Sequence, residues 1–160
     1  FIRIIIFTKK TNRMKKLLIY FICLFIFNNV LAQKYTETYI KDANTVAKNW
    51  FNHINTGQYK NAYDELSGEL KDRATLNDWL RQISMLMEEF GNIENRIVTD
   101  TYFKSEIEGL ENGFYVIIEY DVKYTKTRNH TESLLLKQSD NLEWQILNYD
   151  YAFQHLENKK

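Results

Sequence analysis

Residues 114–124, FYVIIEYDVKY, decide the fold of this chain. Apolar and aromatic side chains occupy the even positions from Phe114 to Tyr124, and Glu119, Asp121 and Lys123 fall on the odd positions. Side chains of a β-strand point alternately to its two faces. The stretch therefore predicts one long strand with an apolar face.

Three further strands are expected around this one, at roughly residues 93–103, 129–137 and 142–151. Turn-forming residues 111–113 (ENG) and 139–141 (SDN) separate strand patterns, and strands joined by short turns are antiparallel. In the last strand, the apolar positions change from even to odd. A β-bulge near Leu147 or Asn148 would reconcile the two patterns.

Three helices are predicted before the strands, because apolar residues there recur every three or four positions. The first covers residues 38–54 and ends at Gly57, and a shorter one follows at 59–66. The third opens at Thr75, whose hydroxyl can cap the first turn, and ends at Gly91. The predicted class is α+β, with helices packed on one face of a four-stranded antiparallel sheet.

Residues 14–32 have the form of a secretory signal peptide, with basic residues, an apolar run from Leu17 to Phe27 and the small-residue exit Val30-Leu31-Ala32. At about 1.5 Å per residue, this run is too short as a helix for a hydrocarbon layer of ~30 Å. We expect cleavage after Ala32 and a periplasmic or secreted protein without membrane attachment. Residues 1–13 are interpreted as an upstream extension, residues 33–160 as one domain, and an uncleaved anchor is the alternative.

The composition indicates a folded domain, since 44% of the residues are hydrophobic and 15% are aromatic. Residues 33–160 carry all 21 acidic residues and 15 basic ones, a net charge of −6. Nucleic acid is therefore not an expected partner, because phosphate binding needs a clustered basic surface. The single cysteine, Cys23, precedes this domain, which excludes disulfides and thiol catalysis within residues 33–160.

A set of spaced residues resembles a known family pattern. Its members are Ala47 and Trp50, Asn55, Gly57 and Tyr59, Trp79, Gly91 and Arg96, Gly113 and Tyr115, and Glu132, Trp144 and Tyr149. The pattern is similar to that of the secreted bacterial family known as domain of unknown function 4019, over roughly residues 43–151. The resemblance implies the cone-shaped nuclear transport factor 2-like fold. It brings no assigned activity or cofactor.

Glu132 is the main candidate site residue. It shares strand parity with Leu134 and Leu136, which turns its carboxylate toward the apolar face of the sheet. A buried carboxylate needs a partner, and Arg96 on the first strand can supply one. A structural ion pair is one interpretation, and a pocket carboxylate for ligand binding or proton transfer is the other.

Aromatic residues supply the remaining candidates. Tyr59, Tyr63 and Tyr149 are candidate ligand-binding residues, although ordinary packing with the hydroxyl at the surface is the alternative for each. The three tryptophans are expected in the core: Trp50, Trp79 and Trp144. The three histidines lack metal-ligand spacing, residues 129–131 (NHT) are interpreted as a turn, and we expect neither a metal nor a cofactor.

Three functions remain open for this domain. The first is a non-catalytic module that binds a small ligand or an envelope protein. The second is an isomerase- or dehydratase-like enzyme that uses Glu132, the only catalytic candidate, together with a tyrosine. The third is a self-associating module, such as a homodimer, since Tyr115 and Ile117 lie on the other face of the central strand.

Overall fold

The structure, a computed structural model, describes residues 35–155. The predicted signal peptide, the extension before it and the last five residues lie outside the described residues. From residue 39 onward, the described chain belongs to one compact unit. No helix within residues 35–155 has the length and apolar character needed to cross a membrane.

Within residues 35–155, four helices precede the sheet, one more than predicted. Helix α1 covers residues 35–55, and α2 (Tyr59–Asp64), α3 (Gly68–Arg73) and α4 (Leu76–Phe90) follow. The unpredicted helix, α3, has no buried residue, so it carries no apolar period that a sequence pattern could reveal. Its N-terminus is instead fixed by the Ser67 side chain, which accepts a hydrogen bond from the Leu70 amide.

The predicted ends of the first and last helices are confirmed. Gly57 follows α1 with a φ of 72°, and Gly91 ends α4 with a φ of 81°, a left-handed region that favours glycine. The Thr75 side chain accepts a hydrogen bond from the Asp78 amide and thereby caps α4. Local capping chemistry therefore sets these boundaries.

The four strands form one antiparallel sheet that is not closed. They are β1 (Ile93–Lys104), β2 (Tyr115–Tyr124), β3 (Thr127–Gln138) and β4 (Trp144–His155). Their spatial order is β1-β2-β3-β4, so each strand pairs with its neighbours in sequence. Helices followed by an antiparallel meander make this an α+β domain, as predicted.

The predicted bulge in β4 is present. Leu135 pairs with Asn148 and Leu136 pairs with Ile146, so Leu147 is the extra residue. A second irregularity lies in β3 between Arg128 and Thr131. The interpretation of residues 129–131 as a turn is wrong, because these residues belong to β3 and the irregularity there is a bulge within a strand.

The core lies between α1 and the inner face of the sheet, the face that turns toward the helices. Trp50 is fully buried, and its indole Nε1 donates to the Ala62 carbonyl at 3.1 Å. Trp144 is also buried, as expected. Trp79 is only partly buried and packs at the edge of this core, so it remains accessible from a surface cleft.

Candidate functional site

Glu132 lies on the inner face of β3 and meets Arg96 from β1. The Glu132 side chain is fully buried, and that of Arg96 is 10% exposed. Arg96 Nε donates to Glu132 Oε2 at 2.7 Å. Strand parity predicts a buried carboxylate that needs a partner, and in the structure Arg96 is that partner.

Two tyrosines complete a hydrogen-bonded network around the carboxylate. The hydroxyls of Tyr124 and Tyr149 donate to Glu132 Oε1 at 2.9 and 2.8 Å. Tyr124 also accepts a bond of 2.8 Å from a terminal guanidinium nitrogen of Arg96. Both carboxylate oxygens are therefore occupied by donors from other strands, and we call Arg96, Tyr124, Glu132 and Tyr149 the carboxylate network.

The network holds both tyrosines in the protonated form. Burial raises the pKa of Tyr124 and that of Tyr149 well above the ordinary value, and the negative charge of Glu132 adds to the effect. Each hydroxyl therefore acts as a hydrogen-bond donor to the carboxylate. This arrangement stabilises a buried charge and links β1, β2, β3 and β4 through side chains.

His130, which the sequence pattern assigned to a turn, lies next to the carboxylate network. It is buried on β3, where its Nδ1 lies 3.0 Å from Thr127 Oγ1, and its Nε2 lies 3.6 Å from Glu132 Oε1. Burial lowers the pKa of His130. The negative charge of Glu132 acts in the opposite direction, but its effect is the smaller one. Residue parity could have found it, since positions 130, 132, 134 and 136 alternate on one face.

Tyr59 and Tyr63 lie outside the carboxylate network. The Tyr63 hydroxyl donates to the Ala74 carbonyl at 3.1 Å, ahead of α4. The Tyr59 carbonyl accepts a bond of 3.1 Å from Trp79 Nε1. Both tyrosines thus tie the helices together, and of the five candidate residues the structure brings together Arg96, Glu132 and Tyr149.

An apolar cleft opens beside the network, between helices α3 and α4 and strand β4. Its volume is about 490 Å³. The lining side chains are mainly aliphatic and aromatic, and they include Leu70, Trp79, Met85, Leu86 and Tyr149. Sequence reasoning missed this cleft because it depends on how far α4 stands from β4. Some of the apolar side chains of α4, such as Trp79 and Leu86, thus line an accessible cleft.

The cleft is adjacent to the carboxylate network through a shared residue. Tyr149 lines the cleft, while its hydroxyl donates to Glu132. Trp50, whose ring centroid lies 5.2 Å from that of Tyr149, also lines it. Hydrogen bonds and ring packing hold both aromatic side chains, Trp50 from α1 and Tyr149 from β4, in the wall of the cleft.

Within residues 35–155, no group of three or more His, Cys, Asp or Glu side chains is arranged to hold a metal ion. His130 lies beside Glu132, whose carboxylate already accepts three hydrogen bonds.

Comparison with known proteins gives one match. The model of the family described as "Protein of unknown function (DUF4019)" matches residues 46–149, which include α2, α3, α4, β1, β2, β3, about the last half of α1 and the first half of β4. No curated protein and no solved structure matches the chain. The match covers more than half of the chain and contains the whole carboxylate network. The chain belongs to this family, DUF4019, whose function is unknown.

Proposed function

We propose that residues 33–160 form an exported, non-catalytic domain that binds a small apolar ligand in the cleft between α3, α4 and β4. The signal-peptide pattern of residues 14–32 supports export to the periplasm or the medium. The order of helices followed by an antiparallel meander supports a cone-shaped, nuclear transport factor 2-like fold. An envelope protein that inserts an apolar side chain would use the same cleft.

The apolar cleft is the observation that carries this proposal. Ligand sites are concave, mostly apolar and roughly 300–1,000 Å³ in volume, with few polar groups. The cleft, at about 490 Å³, falls within this range and offers the partly buried rings of Trp79 and Tyr149. Met85, which is 65% exposed, and half-buried Leu86 leave apolar surface uncovered at its α4 side.

The state of Glu132 argues against the enzyme alternative. A general base must reach the proton that it removes, directly or through one water. The Glu132 side chain has no exposed surface, and its two oxygens already accept bonds from Arg96, Tyr124 and Tyr149. These contacts favour a structural role for the carboxylate.

The outer face of the sheet argues against a self-associating module. Four carboxylates lie there: Asp100, Glu119, Asp121 and Asp150. Asp100 and Glu119 are direct neighbours across β1 and β2. A homodimer that packed these faces together would bury these carboxylates, which is unfavourable unless each one gains a partner.

A titration with N-phenyl-1-naphthylamine, a neutral apolar fluorophore, tests the proposed function. We expect saturable binding with one site and increased fluorescence of the probe. Met85→Lys should weaken binding about tenfold, because it places a charge at the mouth of the cleft. Leu142→Lys is the matched control, since Leu142 is 73% exposed and does not line the cleft.

Two results would contradict the proposal. One is the absence of saturable binding to the folded protein. The other is equal weakening by Met85→Lys and Leu142→Lys, which would mean that the probe binds exposed apolar surface in general. Both variants change exposed residues, so the fold should be retained, and circular dichroism checks this.

A further inference from the structure

A second groove, separate from the apolar cleft, lies between helix α1 and strand β1. Its volume is about 470 Å³. The helix contributes Lys48, Asn52 and Asn55, and the strand contributes Arg96 and Val98. Strand β1 is an edge of the sheet, so the groove opens to solvent beside it.

The charge in this groove is opposite to that of the domain as a whole. Lys48 and Arg96 are its charged lining residues, and no carboxylate lines it. By contrast, Glu89 lines the apolar cleft. Because residues 33–160 carry a net charge of −6, a groove lined by cations alone is a local feature that attracts anions.

The two cations have different states. The Arg96 charge is balanced by Glu132, at 2.7 Å. Lys48 is exposed, and within the described residues no carboxylate lies at ion-pair distance from it. The groove therefore offers about one uncompensated positive charge, which suits an anion with a single negative charge.

Arg96 is held in a fixed orientation in the wall of the groove. Its guanidinium carbon lies 3.6 Å from the centre of the Phe51 ring, and two of its nitrogens donate to Glu132 and Tyr124. A guanidinium has five N–H donors, so the network leaves donors for another acceptor. Little conformational entropy is lost when a ligand binds to a side chain already fixed in this way.

The groove also has an apolar wall. Phe51, Tyr120 and Val98 line it, and Val98 is 49% exposed although it lies on the inner face of β1. We propose that this groove binds a small carboxylate that carries an apolar group. Lys48 attracts the carboxylate, Arg96 and the two asparagine amides donate hydrogen bonds to it, and the apolar group packs against Phe51 and Val98.

The test compares two probes of the same shape, sodium benzoate and neutral benzamide, in an NMR titration of the ¹⁵N-labelled exported protein. We expect benzoate to shift the side-chain amide signals of Asn52 and Asn55 in a saturable manner. Benzamide should bind about tenfold more weakly, because it lacks the charge. Higher salt should weaken benzoate binding.

Variants distinguish this groove from the apolar cleft. Lys48→Met should weaken benzoate binding about tenfold, and Lys60→Met is the matched control, because Lys60 pairs with Asp64 outside the groove. Met85→Lys should leave benzoate binding unchanged, so that failure at one site is separable from failure at the other. The proposal is overturned if benzoate binding does not saturate, if benzamide binds equally well, or if Lys48→Met binds benzoate like the parent protein.

Discussion

Removal of Arg96 from the carboxylate network should destabilise the domain strongly. Arg96→Met leaves the Glu132 carboxylate, which has no exposed surface, with two tyrosine hydroxyls and without a counter-charge. Loss of one partner of a buried ion pair typically costs about 3–5 kcal/mol. An exposed pair, in contrast, is worth roughly 0–1 kcal/mol. The burial of both side chains places Arg96–Glu132 in the first class.

A double-mutant cycle with Arg96→Met and Glu132→Gln measures this energy. The double variant contains no buried charge at this position, because both ionised groups are replaced. Glutamine also keeps an oxygen that can accept the hydrogen bonds of Tyr124 and Tyr149. We therefore expect the double variant to be more stable than Arg96→Met alone. The measurement is the free energy of unfolding from urea titrations.

A coupling energy below about 1 kcal/mol would refute this reasoning, because it would put the pair in the range of exposed ion pairs. The control is Lys123→Met with Glu94→Gln, an exposed pair between β1 and β2 whose atoms are also 2.7 Å apart. Its coupling should be small. The comparison separates the effect of burial from that of distance.

Three further predictions concern the core, pH dependence and backbone conformation. Trp50→Ala should lower the free energy of unfolding by about 3–5 kcal/mol, and Trp79→Ala should lower it by less, because Trp50 is fully buried and Trp79 is not. Urea midpoints that rank the two variants in the reverse order would contradict this. His130 should remain neutral in the folded state, so that the unfolded chain takes up the proton first and stability falls as the pH drops below about 6.5. His130→Gln should reduce this loss of unfolding free energy between pH 8 and 5.5. An unchanged dependence of the unfolding free energy on pH would contradict a neutral His130. Gly91→Ala should lower the thermal midpoint more than Gly57→Ala, since both glycines have a positive φ but only a Cβ at Gly91 meets a neighbouring side chain. Equal thermal midpoints of the two variants would be inconsistent with that contact.

Local patterns in the sequence predict much of the fold and part of the site. The alternation in residues 114–124 gives β2, and the change of parity in β4 gives the bulge at Leu147. The buried position of Glu132 also follows from parity, and the need of a buried carboxylate for a partner made Arg96 a candidate. These features depend on side-chain period and on the cost of burying charge.

Features that depend on longer-range packing were missed. Helix α3 buries none of its residues, so no periodic signal marks it. His130 follows Asn129, a residue with a φ of 49°, and the polar sequence around it is typical of a turn. The apolar cleft depends on the distance of α4 from β4. The second groove, lined by Lys48 and Arg96, depends on the distance of α1 from β1. Neither distance can be derived from a strand or helix pattern.

Two methionines allow the most direct test of the proposed ligand site. Met85 lines the apolar cleft, whereas Met87 lines a different groove, with Tyr59 and Lys126. With ¹³C-methyl-labelled methionine, a protein of residues 33–160 should give one methyl signal for each. We expect N-phenyl-1-naphthylamine to shift the Met85 signal in a saturable manner and to leave Met87 unchanged. A shift confined to Met87, or no shift of either signal at saturating probe, would contradict ligand binding in the apolar cleft.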